Sequence, residues 1–253
     1  MRARIAGLAA GAALAAAGVW AAPEPAHAQS LRELLGRGAA PGRGQAAATV
    51  GRYTAAQGDG FIFDRTDGRA YLKFDAEAEV WALTAHPGPR GDLIYRNDIG
   101  QPMVRATRLG GLILFTPERP AGTPAAYAGP ASTLRPRPMT PNQLLRHLAQ
   151  TSVRASRALR RTTPFEAPDV TSGAEPLIAD AASLAAQAVV QSASAPRGRS
   201  ALARLRRVRF LEGRAAGVAL NGDALVVTIA PARGVAGRPS SRKIALALQL
   251  ASP

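Results

Sequence analysis

Between residues 60 and 116 the chain alternates short apolar runs with turn residues. The runs lie at 61–63, 71–74, 80–83, 93–95, 103–106 and 112–115. Asp59 with Gly60, Asp67 with Gly68, Pro87 with Gly88, Asn97 with Asp98 and Gly110 with Gly111 stand between or just before them. Runs spaced by roughly 8–12 residues with turn chemistry between them predict an antiparallel β-meander over 51–130, folded as a sandwich or a small barrel. Pro117, Pro120, Pro124, Pro130, Pro136, Pro138 and Pro141 follow. That density forbids a continuous helix or a central strand and predicts an extended connection between subregions, bounded at 131–139 between the meander and the helical segment.

The periodicity then changes. Thr140 suits an N-cap and Pro141 the first helical position. At 100° per residue Leu144, Leu145, Leu148, Ser152, Ala155 and Leu159 form one stripe, with Arg146, Arg154, Arg157, Arg160 and Arg161 on the other side. No acid lies between Pro141 and Arg161, so these arginines have no i,i+4 partner in their own helix, and Pro164 ends it. A nearly uncharged helix over 176–192 should be buried, and a short third helix is expected over 199–207. Strand character returns at 208–211, 218–220 and 225–229, with Asn221 and Gly222 as a two-residue hairpin. Residues 244–250 alternate large and small with period two, which predicts a closing strand. Strands, then helices, then strands define an α+β class, with 140–253 packed against the meander as one unit.

The N-terminus reads as a secretory signal peptide over 1–28. A basic start at Arg2 and Arg4, an Ala/Leu-rich stretch and Ala26-His27-Ala28 place cleavage before Gln29. The expected location is the periplasm, with secretion beyond the cell left open, and no later apolar run is long enough to span a bilayer. Residues 29–50 read as a flexible lead-in. The sequence has no cysteine, which removes disulfides, thiolate chemistry and a lipid anchor on cysteine.

Charge separates the halves. The net charge is +15, carried by arginine except for Lys73 and Lys243. Residues 51–130 hold nine bases and nine acids, whereas 140–214 hold twelve arginines against Glu166, Asp169, Glu175, Asp180 and Glu212. Such an asymmetry predicts different surfaces for different partners.

Candidate chemistry is sparse. With His27 in the signal peptide, His86 and His147 are too few for a zinc site, and no metal or cofactor is implied. His147 reads as a solvated residue, His86 as a loop residue before Pro87. Asp75, Glu77 and Glu79 share one face of an extended segment, where a charged, solvated edge explains them better than a carboxylate pair. No nucleophile elbow, P-loop or dinucleotide fingerprint occurs. The arginine face is the one feature with a mechanism, because guanidinium groups grip phosphates and carboxylates in a bidentate fork.

Pro87-Gly88-Pro89-Arg90-Gly91-Asp92-Leu93-Ile94-Tyr95-Arg96-Asn97-Asp98 and the stretch from Arg105 to Thr116, together with the Ala-rich exported start, resemble an uncharacterised family of exported proteins of Gram-negative bacteria. The likeness covers most of the chain after residue 28 and implies no activity, cofactor or catalytic residue. Three functions are therefore expected in turn. The first is a non-catalytic envelope protein whose Arg146, Arg154, Arg157 and Arg161 contact an anionic polymer, lipid head group or acidic protein, export arguing against nucleic acid as the natural partner. The second is a hydrolase using carboxylates such as Asp92 and Asp98. The third is a barrel inhibitor of an exported enzyme, presenting a rigid loop from Pro87 to Asp92; Arg90, Asp92, Arg96 and Asp98 are the candidate loop residues of the meander.

Overall fold

The computed structural model describes residues 49–194, 199 and 202–250, the Asp67 side chain excepted. The expected signal peptide, most of the lead-in and much of the expected third helix lie outside the described residues. The meander closes into an eight-stranded antiparallel barrel: β1 (Val50–Ala55), β2 (Gly60–Asp64), β3 (Ala70–Phe74), β4 (Trp81–Pro87), β5 (Leu93–Arg96), β6 (Pro102–Ala106), β7 (Leu112–Thr116) and β8 (Arg119–Pro130). β8 pairs with both β7 and β1, leaving no barrel strand as a free edge.

Alternation along the strands puts Tyr53, Phe61, Phe63, Leu72, Trp81, Leu83, Tyr95, Val104 and Leu114 inside. Eight strands enclose about the space such side chains fill. Tyr53 stacks on Phe61 at 5.6 Å, and Tyr95 meets Phe63 edge-on at 5.1 Å. Gly110, at φ 87°, closes the β6–β7 hairpin where an L side chain is strained.

β8 corrects the expectation that the prolines from 117 onward belong to a connection. Pro120, Pro124 and Pro130 lie within the strand that seals the barrel. Their fixed φ suits extended backbone, and the cost is a missing donor. The ladder is interrupted around them: the register slips between Leu114 and Thr116 on one side and between Arg52 and Tyr53 on the other.

Residues 131–140 carry no regular structure but are tied down. Asp64, fully buried, accepts hydrogen bonds from Thr133 Oγ1 at 2.7 Å and the Leu134 amide at 2.9 Å through one oxygen, and from the amide and hydroxyl of Thr66 through the other. Leu134 packs with Tyr71 and Val235.

The second half is a two-layer arrangement. Helices α1 (Pro141–Leu159), α2 (Glu175–Ser194) and α3 (Ser241–Leu250) cover a sheet of order β11-β12-β10-β9, built from β9 (Phe165–Glu166), β10 (Arg207–Glu212), β11 (Gly217–Asn221) and β12 (Ala224–Ile229). β9, β10 and β12 run parallel, and β11 forms the hairpin with β12 that Asn221 and Gly222 predict. α2 is the middle helix, burying Ala181, Ala182, Ala185, Ala186 and Val189, as its lack of charge requires.

The closing run is a helix, not a strand. Ser240 caps it, its Oγ accepting the Lys243 amide at 3.1 Å. The helix uses the period-two leucines by burying Ile244 and Leu248, one turn apart, while Leu246 and Leu250 face outward. Arg207, expected in a helix, opens β10 instead.

A buried polar clasp joins barrel and helical layer. Arg238, whose side chain is 1% exposed, donates from Nε to Asp180 of α2 at 2.5 Å and from Nη2 to the Val80 carbonyl at 2.7 Å, with Glu79 3.9 Å from Nη1. Glu79 accepts the Ser241 amide at 3.1 Å and its hydroxyl at 2.5 Å. Glu79 is thus no solvated edge residue, as the sequence suggested, but a carboxylate placed at the N-terminus of α3, where exposed donors favour negative charge.

Candidate functional site

α1 owes its position to its start. Thr140 and Gln143 form a reciprocal capping box: the Thr140 amide donates to Gln143 Oε1 at 2.8 Å and the Gln143 amide to Thr140 Oγ1 at 3.3 Å. Burial of Leu144, Leu148, Thr151 and Ala155 against the neighbouring core then fixes its rotation. The opposite side faces solvent.

That side carries Arg146, Arg154, Arg157 and Arg160, all exposed, none with an ion pair among the described residues. It also carries Leu145, 64% exposed, and Val153, 49% exposed. Leu145 is a correction to the sequence reading, which placed it in the buried stripe. It lies 100° round the helix from Leu144, and the contact is made by Leu144 alone. The exposed surface is therefore mixed, with apolar side chains set among guanidinium groups.

Arg161 is arranged differently from its expected partners. Arg160 ends the helix in a left-handed conformation at φ 54°, which turns the chain inward. Arg161 then donates from Nε to the Leu205 carbonyl at 3.0 Å and from Nη2 to that of Leu202. Burial, and then the nearby Arg206 charge, push its pKa below the ordinary value. Its fork is spent on the protein's own backbone, and Arg160 takes its place on the open face. A recess of about 450 Å³ opens beside them, lined by Arg160, Arg161, Leu159, Ala193 and Leu202 among others.

The four loop candidates divide between two ends of the barrel. Asp92 is buried, accepting the Arg108 amide at 3.0 Å and Arg105 Nε at 2.6 Å. These bonds, the amide's first, hold its carboxyl below the usual range. Arg90 sits exposed in the preceding turn at φ 59°. Asp98, between β5 and β6, accepts the Ser240 amide at 2.8 Å and hydroxyl at 2.6 Å, and Arg96 donates to the Gly100 carbonyl at 2.7 Å. An antiparallel meander sends successive hairpins to opposite ends, so Asp92 and Asp98 do not converge. Each is bound by structural donors.

The histidines are also placed. His147 Nε2 lies 2.8 Å from Ser183 Oγ, a bond between α1 and α2 rather than a solvated position. His86 is exposed within β4, not in a loop. Among the described residues no three His, Asp or Glu gather into a metal-binding group, and no helix is long and apolar enough to cross a membrane.

The fold defines a class: an α+β protein in which a closed eight-stranded barrel is clasped to a helix-covered sheet with a basic outer helix. The chain belongs to the family described as Domain of unknown function (DUF4908), whose profile matches residues 30–248. No curated protein and no solved structure matches it.

Proposed function

We propose that this is an exported, non-catalytic envelope protein that docks on an anionic membrane surface through the outer face of α1. The observation that carries this reading is the face itself: Arg146, Arg154, Arg157 and Arg160 exposed without acidic partners among the described residues, with Leu145 and Val153 on the same side. Guanidinium groups match phosphate geometry, and apolar side chains at the same level enter the boundary between head groups and acyl chains. A wall polymer would use the charges but offers no apolar phase to the two apolar side chains. Export rests on the basic start, apolar stretch and small-residue site at 26–28. Non-catalytic action is supported by Asp92 and Asp98, each committed to donors that hold the fold.

The test is co-sedimentation with vesicles containing phosphatidylglycerol, with purely zwitterionic vesicles and with purified sacculi, at low and high salt. A variant with Arg146, Arg154, Arg157 and Arg160 changed to Gln is run alongside. Each basic residue near an anionic surface contributes about 1 kcal/mol, so the variant should lose up to about a thousandfold in partitioning at low salt. Equal binding to zwitterionic vesicles, or full binding by the variant, overturns the proposal. Retention on sacculi alone assigns the face to a wall polymer instead.

A further inference from the structure

The barrel has an open end of a different character. The hairpin loops after β1, β3 and β7 all emerge at the end nearest the start of α3, and between them lies a cavity of about 830 Å³. That size is within the range of small-molecule sites. Its floor is apolar: Phe74, Trp81, Met103 and Phe115.

The rim is acidic in a basic protein. Asp59, Asp75, Glu77 and Glu118 come from three separate loops, four of the nine acids of residues 51–130 gathered at one opening. Two of them are answered. Asp75 pairs with Arg52 at 2.7 Å, and Glu118 is held below its ordinary pKa by hydrogen bonds from its own amide and the Thr116 side chain, the charge of Arg242 adding less; Arg242 itself donates to Gln101 Oε1 at 2.6 Å. Arg119 is the other cation in the lining. Asp59 and Glu77 have no cationic partner among the described residues. Glu77 is moreover held over the floor, its Oε2 accepting the indole N–H of Trp81 at 3.2 Å. An unanswered carboxylate fixed beside aromatic rings attracts a cation twice, by its own charge and by the ring faces.

We propose that this end of the barrel binds an amphipathic organic cation, its apolar body on Phe74, Trp81 and Phe115 and its charged nitrogen between Glu77 and Asp59. This site is separate from α1 and does not depend on the membrane reading. An anion would meet the two unanswered carboxylates, and a neutral apolar molecule would leave them without a partner.

Three probes with the same tail separate these cases: decyltrimethylammonium, decanol and decanoate, each below its aggregation concentration. Trp20 and Trp81 are the two tryptophans of the chain. In the full chain carrying Trp20→Phe, fluorescence reports Trp81 alone, whose indole is bonded to the proposed ligand group. Decyltrimethylammonium should give a saturable change, bind at least tenfold more tightly than decanol or decanoate, and weaken with salt. Glu77→Gln, and Glu77→Gln with Asp59→Asn, lie at exposed positions and should keep the wild-type circular dichroism while losing tenfold or more in affinity. No saturable change, equal binding of the three probes, preference for decanoate, or undiminished binding by both variants overturns the assignment.

Discussion

Replacing Arg238 by Met tests whether the clasp between barrel and helical layer is the joint that the geometry indicates. Methionine keeps most of the volume and removes the charge. In the native chain Arg238 Nε meets Asp180 at 2.5 Å, Nη2 meets the Val80 carbonyl at 2.7 Å, and Glu79 lies 3.9 Å away. The side chain is 1% exposed, so water does not take its place without opening the contact. Breaking a buried pair by removing one partner costs about 3–5 kcal/mol, because the other charge stays buried and unanswered. With a urea m-value of about 2 kcal/mol/M, a loss of 4 kcal/mol lowers the midpoint by about 2 M. Unfolding is followed by far-UV circular dichroism, dominated by the helices, and by fluorescence of Trp81 in the barrel, with Trp20→Phe as background. The two transitions should coincide in the parent and separate in Arg238→Met, because barrel and helical layer each have a hydrophobic core of their own. A shift below about 0.5 M, or coincident transitions in the variant, refutes the reasoning.

Asp64→Asn should cost about 1–3 kcal/mol by calorimetry, since an amide N–H₂ would face donors that now serve a carboxylate oxygen. Glu79 and Asp92 should act on stability with opposite signs as pH changes. Burial raises the Glu79 carboxyl above its ordinary value despite the Ser241 bonds and Arg238, so the fold binds its proton more tightly than the unfolded chain does. Its contribution is therefore lost as pH rises through the range between the ordinary and the raised value, and Glu79→Gln should remove that fall. Asp92 is lowered, so it stabilises above the ordinary carboxylate range and its contribution disappears as pH falls; Asp92→Asn should flatten the acid limb of the stability profile. Leu248→Ala should cost about 2–5 kcal/mol and Leu246→Ala well under 1, measured by urea unfolding, because the helix buries the first and exposes the second. A strand with one buried face would make the two losses equal.

The leucines at 246 and 248 show where the sequence was legible and where it was not. The meander could be read because its runs are bounded by Gly, Asn and Asp at positions that need turn geometry, and because alternation there is a local property. Whether it closed depended on Pro120, Pro124 and Pro130 joining β8, a matter decided by pairing with β1 some seventy residues earlier. The closing segment misleads a reading by period because large residues at i, i+2, i+4 and i+6 match one face of a strand in full, whereas the helix buries only Ile244 and Leu248, one turn apart. The choice fell to Ser240, Asp98 and Glu79, whose contacts span more than 140 residues. Glu79 itself had one available signal: it directly precedes the run at Val80 and Trp81, where a solvated carboxylate is hard to place. Arg161 offered none, because it shares the composition of its neighbours and differs only through the left-handed turn at Arg160.

The remaining arginines differ in what folding asks of them. Arg157 and Arg160 lie at the C-terminal end of α1, where cations are favoured by the carbonyl dipoles, and that benefit offsets their mutual repulsion at i,i+3. Arg146 lies beyond the first turn and far from the last, outside the reach of either end's dipole, and it is exposed with no ion pair among the described residues. Folding gains nothing from it, so it is the residue at which stability and binding separate. Arg146→Gln should leave the urea midpoint unchanged or slightly higher, while weakening partitioning into phosphatidylglycerol vesicles by about fivefold, the share of one basic group at an anionic surface. A variant that loses stability and keeps its vesicle binding would make Arg146 a structural residue and remove the clearest support for the α1 face as a docking surface.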